Sequence, residues 1–358
     1  MTARVASGNG SSDKRRWSNT IKPTSKGSDS QRDHTTKTAQ TARLRLVVLA
    51  TELSRVGVER ALMHRLNPWH GTCNLQFFEG SRGSQHQGGC TSPLKLMRAE
   101  RGENGRCELP LLHTAGGLVG GDQLSINLGV RPSSRCLLPS LAAHKVYGSV
   151  GRSQLHPQRA GSRQQVSAEL DAGADLEWLP QELVLYADAL FEQNLSVTLP
   201  MDGSFLSAEI VRLGRTAANE TLGRGFWRSG IQIQRQTSEG RRWELVDRLE
   251  ISGEALKSVH GLNQQPVFGT LVWAAPFPLQ TDLINTLLED VRQDRNELEG
   301  TMHCGLLPQG LIARYSGDSS RDARFWFSWI WARTRQARDL APPQIPRVWP
   351  LQEDPLKT

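Results

Sequence analysis

Four carboxylates stand where hard-ligand or acid–base chemistry would place them: Asp122 behind two glycine pairs, Glu177 and Glu182 at the two ends of a Trp-Leu-Pro-Gln step, and Glu220 after Gly214-Arg215-Thr216-Ala217-Ala218-Asn219. Two such groups on a β scaffold permit glycoside hydrolysis, in which their separation sets the stereochemical outcome. Scattered oxygen ligands joined by a few histidines suit a divalent cation that crosses a protein without being caged. His303-Cys304 sets imidazole beside thiol, a pair able to bind a borderline metal, although neighbours on a strand point to opposite faces. The chain has no G-x-S-x-G elbow, H-E-x-x-H pair, phosphate-loop signature or cysteine–histidine cluster at ligand spacing.

The glycine pairs Gly116-Gly117 and Gly120-Gly121 flank Leu118-Val119. Glycine is favoured where φ is positive or backbones touch, so a tight turn at a contact surface is expected. A phosphate cradle would lead into a helix, whereas Leu124, Ile126, Leu128 and Val130 alternate with polar or small residues at the period of a half-buried strand. The spacing predicts a hairpin with Asp122 at its exit.

Strand-like segments between Gly, Pro, Asn and Ser turns run from Thr72–Phe78 and Ser92–Arg98 through Arg106–Leu112, Gln123–Val130, Arg135–Leu141 and Gln164–Leu170. Leu176–Leu185, Leu195–Leu199, Ser204–Leu213, Gly230–Gln236, Trp243–Ile251 and Pro266–Trp273 complete the run. Short strands at this spacing indicate a mainly β body, as a sandwich, barrel or β-solenoid, without a fixed repeat period. Two helices are predicted near the C-terminus. One is capped by Thr281, buries Leu283, Ile284, Leu287, Leu288 and Val291 on a sheet and stops by Gly300. The other begins at Ser319 or Ser320, runs through Arg333 and ends before Pro342-Pro343. Its Phe325, Trp329 and Arg333 share one face, suited to core packing or to docking a partner.

The 358 residues carry a formal net charge of +7. Residues 1–43 hold nine basic and three acidic residues and hardly an apolar cluster, so residues 1–66 are expected to be a disordered extension, and the domain to occupy 67–358. A solvated leader is the expectation there, ahead of nucleic-acid binding or an organelle presequence. Leu44–Ala50 is far shorter than the roughly 20 residues a membrane helix needs, so no membrane span and an intracellular, cytoplasmic location are expected. Cys73, Cys90, Cys107, Cys136 and Cys304 form no C-x-x-C pair, which disfavours a disulfide framework and structural zinc.

His113-Thr114-Ala115-Gly116-Gly117-Leu118-Val119-Gly120-Gly121-Asp122 resembles the signature of the urease accessory protein UreD (UreH) family. Ala142-Ala143-His144-Lys145-Val146-Tyr147-Gly148-Ser149 is similar to its A-A-x-K-V-Y-R-S segment, and Glu177-Trp178-Leu179-Pro180-Gln181-Glu182 to its E-x-L-P-Q-E. Gly214-Arg215-Thr216-Ala217-Ala218-Asn219-Glu220 with Gly225-Phe226-Trp227-Arg228-Ser229, and the closing Pro346-Arg347-Val348-Trp349, complete the resemblance from about Trp69 onward. Gly148 stands where the family has arginine, Pro139-Ser140 replaces a hydroxyl-rich step, and Met63 precedes the matching region closely enough to be its start.

The resemblance implies a helically coiled β-sandwich with a pair of helices, and a non-enzymatic chaperone that joins UreF and the GTPase UreG on apo-urease. It further implies nickel passing through an internal tunnel, with no tightly bound cofactor. Asp122, Glu182 and Glu220 are the expected nickel path, and Trp227, Arg228, Phe325, Trp329 and Arg333 the expected partner anchors.

Overall fold

The computed structural model describes residues 68–148, 160–349 and 353–357. The expectations for residues 1–66 therefore lie outside the described residues. The strands in chain order are β1 (His70–Gly80), β2 (Gly83–Cys90), β3 (Leu94–Leu96), β4 (Glu100–Arg101), β5 (Cys107–Glu108), β6 (Leu111–His113) and β7 (Gln123–Val130). β8 (Arg135–Pro139), β9 (His144–Val146), β10 (Ser162–Leu170), β11 (Asp175–Leu179), β12 (Leu183–Leu185), β13 (Leu190–Pro200) and β14 (Ser204–Leu213) follow. Then come β15 (Phe226–Thr237), β16 (Gly240–Ser252), helix α1 (Gly253–Lys257), β17 (Val267–Ala274), helix α2 (Thr281–Gln293), β18 (Thr301–Leu307), β19 (Gly310–Gly317) and helix α3 (Ser320–Gln336).

These strands form a seven-stranded sheet in the order β16-β15-β13-β10-β7-β1-β2 and a ten-stranded sheet whose path is β18-β19-β17-β14-β11-β8-β5-β4, with β12 joined to β14 and β9 to β12 off that path. Within the first, β1, β7, β10, β13 and β15 are successive parallel neighbours. In the second, β5, β8, β11 and β14 are likewise parallel. The chain therefore coils, laying one strand in each sheet per turn, and antiparallel strands close the ends. Coils begin at Gln123, Ser162, Leu190 and Phe226, at unequal intervals, so no repeat period shows in the sequence.

The strand Gln123–Val130 appears with its expected bounds, but the hairpin does not. β6 pairs with β3, while β7 pairs in parallel with β1 and β10, so the glycine loop is a crossover between strands that do not pair with each other. A single Cys73–Cys90 disulfide joins directly opposed positions of β1 and β2, correcting the expectation of unpaired thiols for these two. Cys107 and Cys136 are buried, and burial pushes the Cys107 thiol up to about 11 and the Cys136 thiol well above its ordinary range, so both remain protonated.

The sheets enclose one apolar core, with Phe77, Ile126, Val166, Leu176, Phe205 and Trp227 among its members. A second core lies between the ten-stranded sheet and the helices, where Leu206, Ile210, Leu271 and Trp273 meet Trp326, Phe327, Ile330 and Trp331. Burial on both faces explains why β17 reads as a nearly unbroken apolar run and why β14 carries apolar residues on both of its faces. Gly269 lets α3 approach, since a Cβ there would stand 2.8 Å from the Phe327 ring.

Ser319 caps α3 by accepting a hydrogen bond from the Asp322 N–H at 3.1 Å. α2 starts from Gln280 with no side-chain cap, and ends at Gln293, short of Gly300. It buries Leu287 and Val291 and packs on α3 and the edge strand β18. No helix among the described residues is long and apolar enough to cross a membrane.

Alternation in β11 sends Leu176 and Trp178 into the inter-sheet core and Asp175, Glu177 and Leu179 toward α3. Glu177 is 1 % exposed and accepts hydrogen bonds from Trp331 Nε1 at 2.8 Å, Arg335 at 3.1 Å and Arg106. Arg338 grips Asp175 through two hydrogen bonds of 3.2 and 2.7 Å. Removing one partner of such a buried network leaves charge uncompensated, at a cost of about 3–5 kcal/mol. Glu177→Gln should lower unfolding stability by roughly 3 kcal/mol in urea titration. Replacing Glu177, Arg106 and Arg335 together with Leu, Met and Met should recover most of that loss, and a single substitution costing under about 1 kcal/mol would contradict this assignment.

Candidate functional site, an inter-sheet cavity

The glycine loop is fastened to β9. Leu118 donates its N–H to the Lys145 carbonyl at 2.8 Å and accepts from the Tyr147 N–H at 2.9 Å. A Cβ on Gly117 would lie 2.7 Å from the Lys145 carbonyl, so only glycine fits this approach, and Gly121 holds φ at +91°. Asp122 fixes the loop from below: its two carboxylate oxygens accept from the N–H groups of Trp69 at 2.9 Å and Val119 at 3.0 Å.

This zipper brings His113 and His144 together at the end of a cavity of about 190 Å³ between the sheets. Along the cavity the seven-stranded sheet contributes Gln164, Gln193 and Ser229, and the ten-stranded sheet Ser207, Glu209 and Thr270. Register places Gln164, Gln193 and Ser229 side by side on β10, β13 and β15. They form a polar row through an otherwise apolar interior lined by Leu124, Ile126, Val166 and Val272.

Glu209 accepts from the Ser229 hydroxyl at 3.4 Å, and Ser229 also accepts from the Gln193 amide at 3.4 Å. Burial pushes the Glu209 carboxyl up to about 7, against the opposing effects of Ser229 and Arg314. Burial holds the His144 imidazole down to about 3, with His113 adding to the shift, and lowers His113 despite the attraction of Asp122. At neutral pH both rings are therefore uncharged.

The expected site residues scatter. Asp122 is a loop fastener whose field reaches His113. Glu182 faces α3, accepting from Arg324 at 3.2 Å, and the Gln181 amide, turned to satisfy its neighbours, donates to Glu182 at 3.0 Å and accepts from Trp349 Nε1 at 2.7 Å. The Glu-x-Leu-Pro-Gln-Glu and Pro-Arg-x-Trp segments thus meet on Arg324, whose guanidinium lies 4.5 Å from the Trp349 ring centroid. Ser140 supports that turn by accepting from the Gln181 N–H at 2.8 Å. Glu220 accepts from the Ala187 N–H at 2.8 Å and is clamped by Arg215. Asp122, Glu182 and Glu220 are not among the residues lining the cavity.

Trp227 is 0 % exposed, because strand alternation turns it into the core, which removes it from the expected partner anchors. Arg228 points outward to Glu192 and Glu250. Phe325 and Trp329 meet edge to face, with Trp329 Nε1 donating to the Pro355 carbonyl, and Arg333 binds Asp294 and Asp290 of the α2 segment. His303 is exposed while Cys304 turns inward to accept from Arg295 at 3.4 Å, so the two do not form a joint site. Among the described residues no three His, Cys, Asp or Glu side chains form a metal-holding group.

Sequence reasoning passed over Glu209, His113 and His144 as site residues. The available signal was a lone acid in the apolar strand Ser204–Leu213, and the two histidines inside segments already singled out.

Between about pH 4.5 and 7 the folded chain keeps a proton on Glu209 that the unfolded chain releases, so this group's contribution to stability falls as pH rises through that window. Glu209→Gln should therefore stabilise the protein relative to the parent at pH 8, on the order of 3 kcal/mol, and much less at pH 5. Urea unfolding at both pH values tests this, and an equal effect at each would contradict it.

A family model described as UreD urease accessory protein matches residues 70–350. The chain is 85% identical over 295 residues to the urease accessory protein UreD of Synechococcus sp. (strain CC9311), covering 82% of this chain and 100% of that protein. It is 56% identical over 294 residues to the urease accessory protein UreD of Prochlorococcus marinus (strain MIT 9303), covering 80% and 98%.

Proposed function

The chain belongs to the urease accessory protein UreD family and so has a role in urease maturation, and we propose that it delivers nickel to apo-urease through the inter-sheet cavity. The observation that carries this reading is the row Gln164, Gln193 and Ser229 facing Ser207, Glu209 and Thr270. A sandwich core needs no such row, because buried polar groups cost free energy unless they are hydrogen-bonded. A hydrated cation needs polar side chains to replace part of its water shell as it moves.

The chemistry of the row fits transit better than storage. Amide, hydroxyl and carboxylate oxygens hold a borderline divalent ion weakly, whereas a thiolate cage would retain it. Cys107 and Cys136 are kept protonated in the core. Burial pushes the Glu209 carboxyl up to about 7, and an arriving cation displaces its proton, giving a carboxylate where charge is needed. No bond-making step is assigned to the chain, and its role is that of a non-catalytic chaperone working with UreF, UreG and urease in the cytoplasm. In this reading Asp122 and Glu182 act by positioning: the first sets the loop end of the cavity, and the second locks the Pro180 turn to α3.

Replacing Gln193 with Leu and Ser229 with Val should dry the row. Urease activation at limiting nickel, in cells or lysates containing all accessory proteins, should fall at least tenfold, with co-purification of the partner proteins unchanged. Normal activation by this double variant would overturn the cavity as the route. Asp122→Ala and Glu182→Ala should each lower activation severalfold, and full activity would remove the residue concerned from the delivery machinery.

A further inference from the structure

The pair His113 and His144 is more than the fold requires. Their ring centroids stand 4.9 Å apart at a 42° tilt. Both ring nitrogens of His113 and Nε2 of His144 are buried and have no hydrogen-bond partner among the described residues. Buried polar atoms ordinarily have such partners, and each that does not calls for an explanation. A leucine would fill either place without that penalty. Both residues nevertheless line the cavity.

The spacing has a simple reading. A first-row divalent ion such as zinc sits about 2.0–2.1 Å from an imidazole nitrogen, hence about 3.2 Å from the ring centroid. Two imidazoles sharing one ion at about 90–110° therefore have centroids about 4.5–5.2 Å apart, and the observed pair falls inside that interval. The Asp122 carboxylate adds an attractive field without spending its oxygens, which already accept from two backbone N–H groups.

We propose that His113 and His144 form a two-nitrogen station that binds Ni2+, or a similar borderline-soft divalent cation, at the glycine-loop end of the cavity. The proposal rests on the reading of the cavity as a nickel route. Imidazole is a better ligand than the amides and hydroxyls further in, so the station selects borderline ions over Mg2+ and Ca2+. With only two protein donors and water completing the shell, it releases what it selects.

The test uses the full chain co-purified with its accessory partners and Ni2+ alone as the probe. With one equivalent of Ni2+, X-ray absorption should show outer-shell scattering from two imidazoles. Equilibrium dialysis should show the affinity of this equivalent reduced at least tenfold in His113→Asn and in His144→Asn, with the imidazole signal lost. Absence of imidazole scattering in the parent protein, or unchanged binding in both variants, would overturn the station. Comparison with the Gln193→Leu/Ser229→Val protein separates the two readings. If activation survives in that protein while His-dependent binding persists, the route fails and the station stands. If activation is lost there while the histidine variants bind Ni2+ normally, the station fails and the route stands.

Discussion

The fold depends on one buried carboxylate. Glu177 is surrounded by Arg106, just before β5, and by Trp331 and Arg335 from α3, so two segments far from β11 in sequence close on a single pair of oxygens. A charge in this place is tolerable only while all its partners are present. The arrangement seals the outer face of the ten-stranded sheet, because α3 cannot lift without taking Trp331 and Arg335 away from the buried Glu177 carboxylate. Asp175 with Arg338 and Glu182 with Arg324 extend the same fastening along the helix.

Sealing that face shapes what happens on the other. With β14 and β17 covered by α3, their alternate residues form the wall of the inter-sheet space, where Ser207, Glu209 and Thr270 face the cavity. Two kinds of buried polarity follow. On the helix side every carboxylate is matched by arginine, and the groups are fixed. On the cavity side Glu209 has one long hydrogen bond from Ser229, and the imidazoles of His113 and His144 have three unmatched nitrogens. The first kind holds the molecule together, and the second leaves ligand capacity unused.

Much of this was legible in the residues, where the pattern was local. Gln123–Val130 and Ser204–Leu213 appear with their expected bounds, because one alternates strictly and the other is an apolar-rich segment between turns. β2, with the sequence Gly83-Ser84-Gln85-His86-Gln87-Gly88-Gly89-Cys90, was invisible, since an edge strand with little to bury carries no apolar period. The β18–β19 hairpin was missed as well. Leu176–Leu185 proved to be two strands, because Pro180 cannot donate to a ladder. The hairpin expected at the glycine loop failed for a different reason: turn residues report a reversal of direction, not which strand lies beside which. Glu209 escaped notice because desolvation, which gives it its character, is set by strands on both sheets.

The coiled, parallel course of the chain has one more consequence. Each side chain of the polar row on the seven-stranded sheet comes from a separate turn of the coil, and the three are aligned by ladder register rather than by the connections between them. Connections of unequal length already join those turns. Segments between coils are therefore able to grow or shrink over evolutionary time without displacing the wall, whereas a slip of one residue in any ladder would turn its contribution to the outside. Tolerance to insertion and intolerance to register error are thus divided between loop and strand.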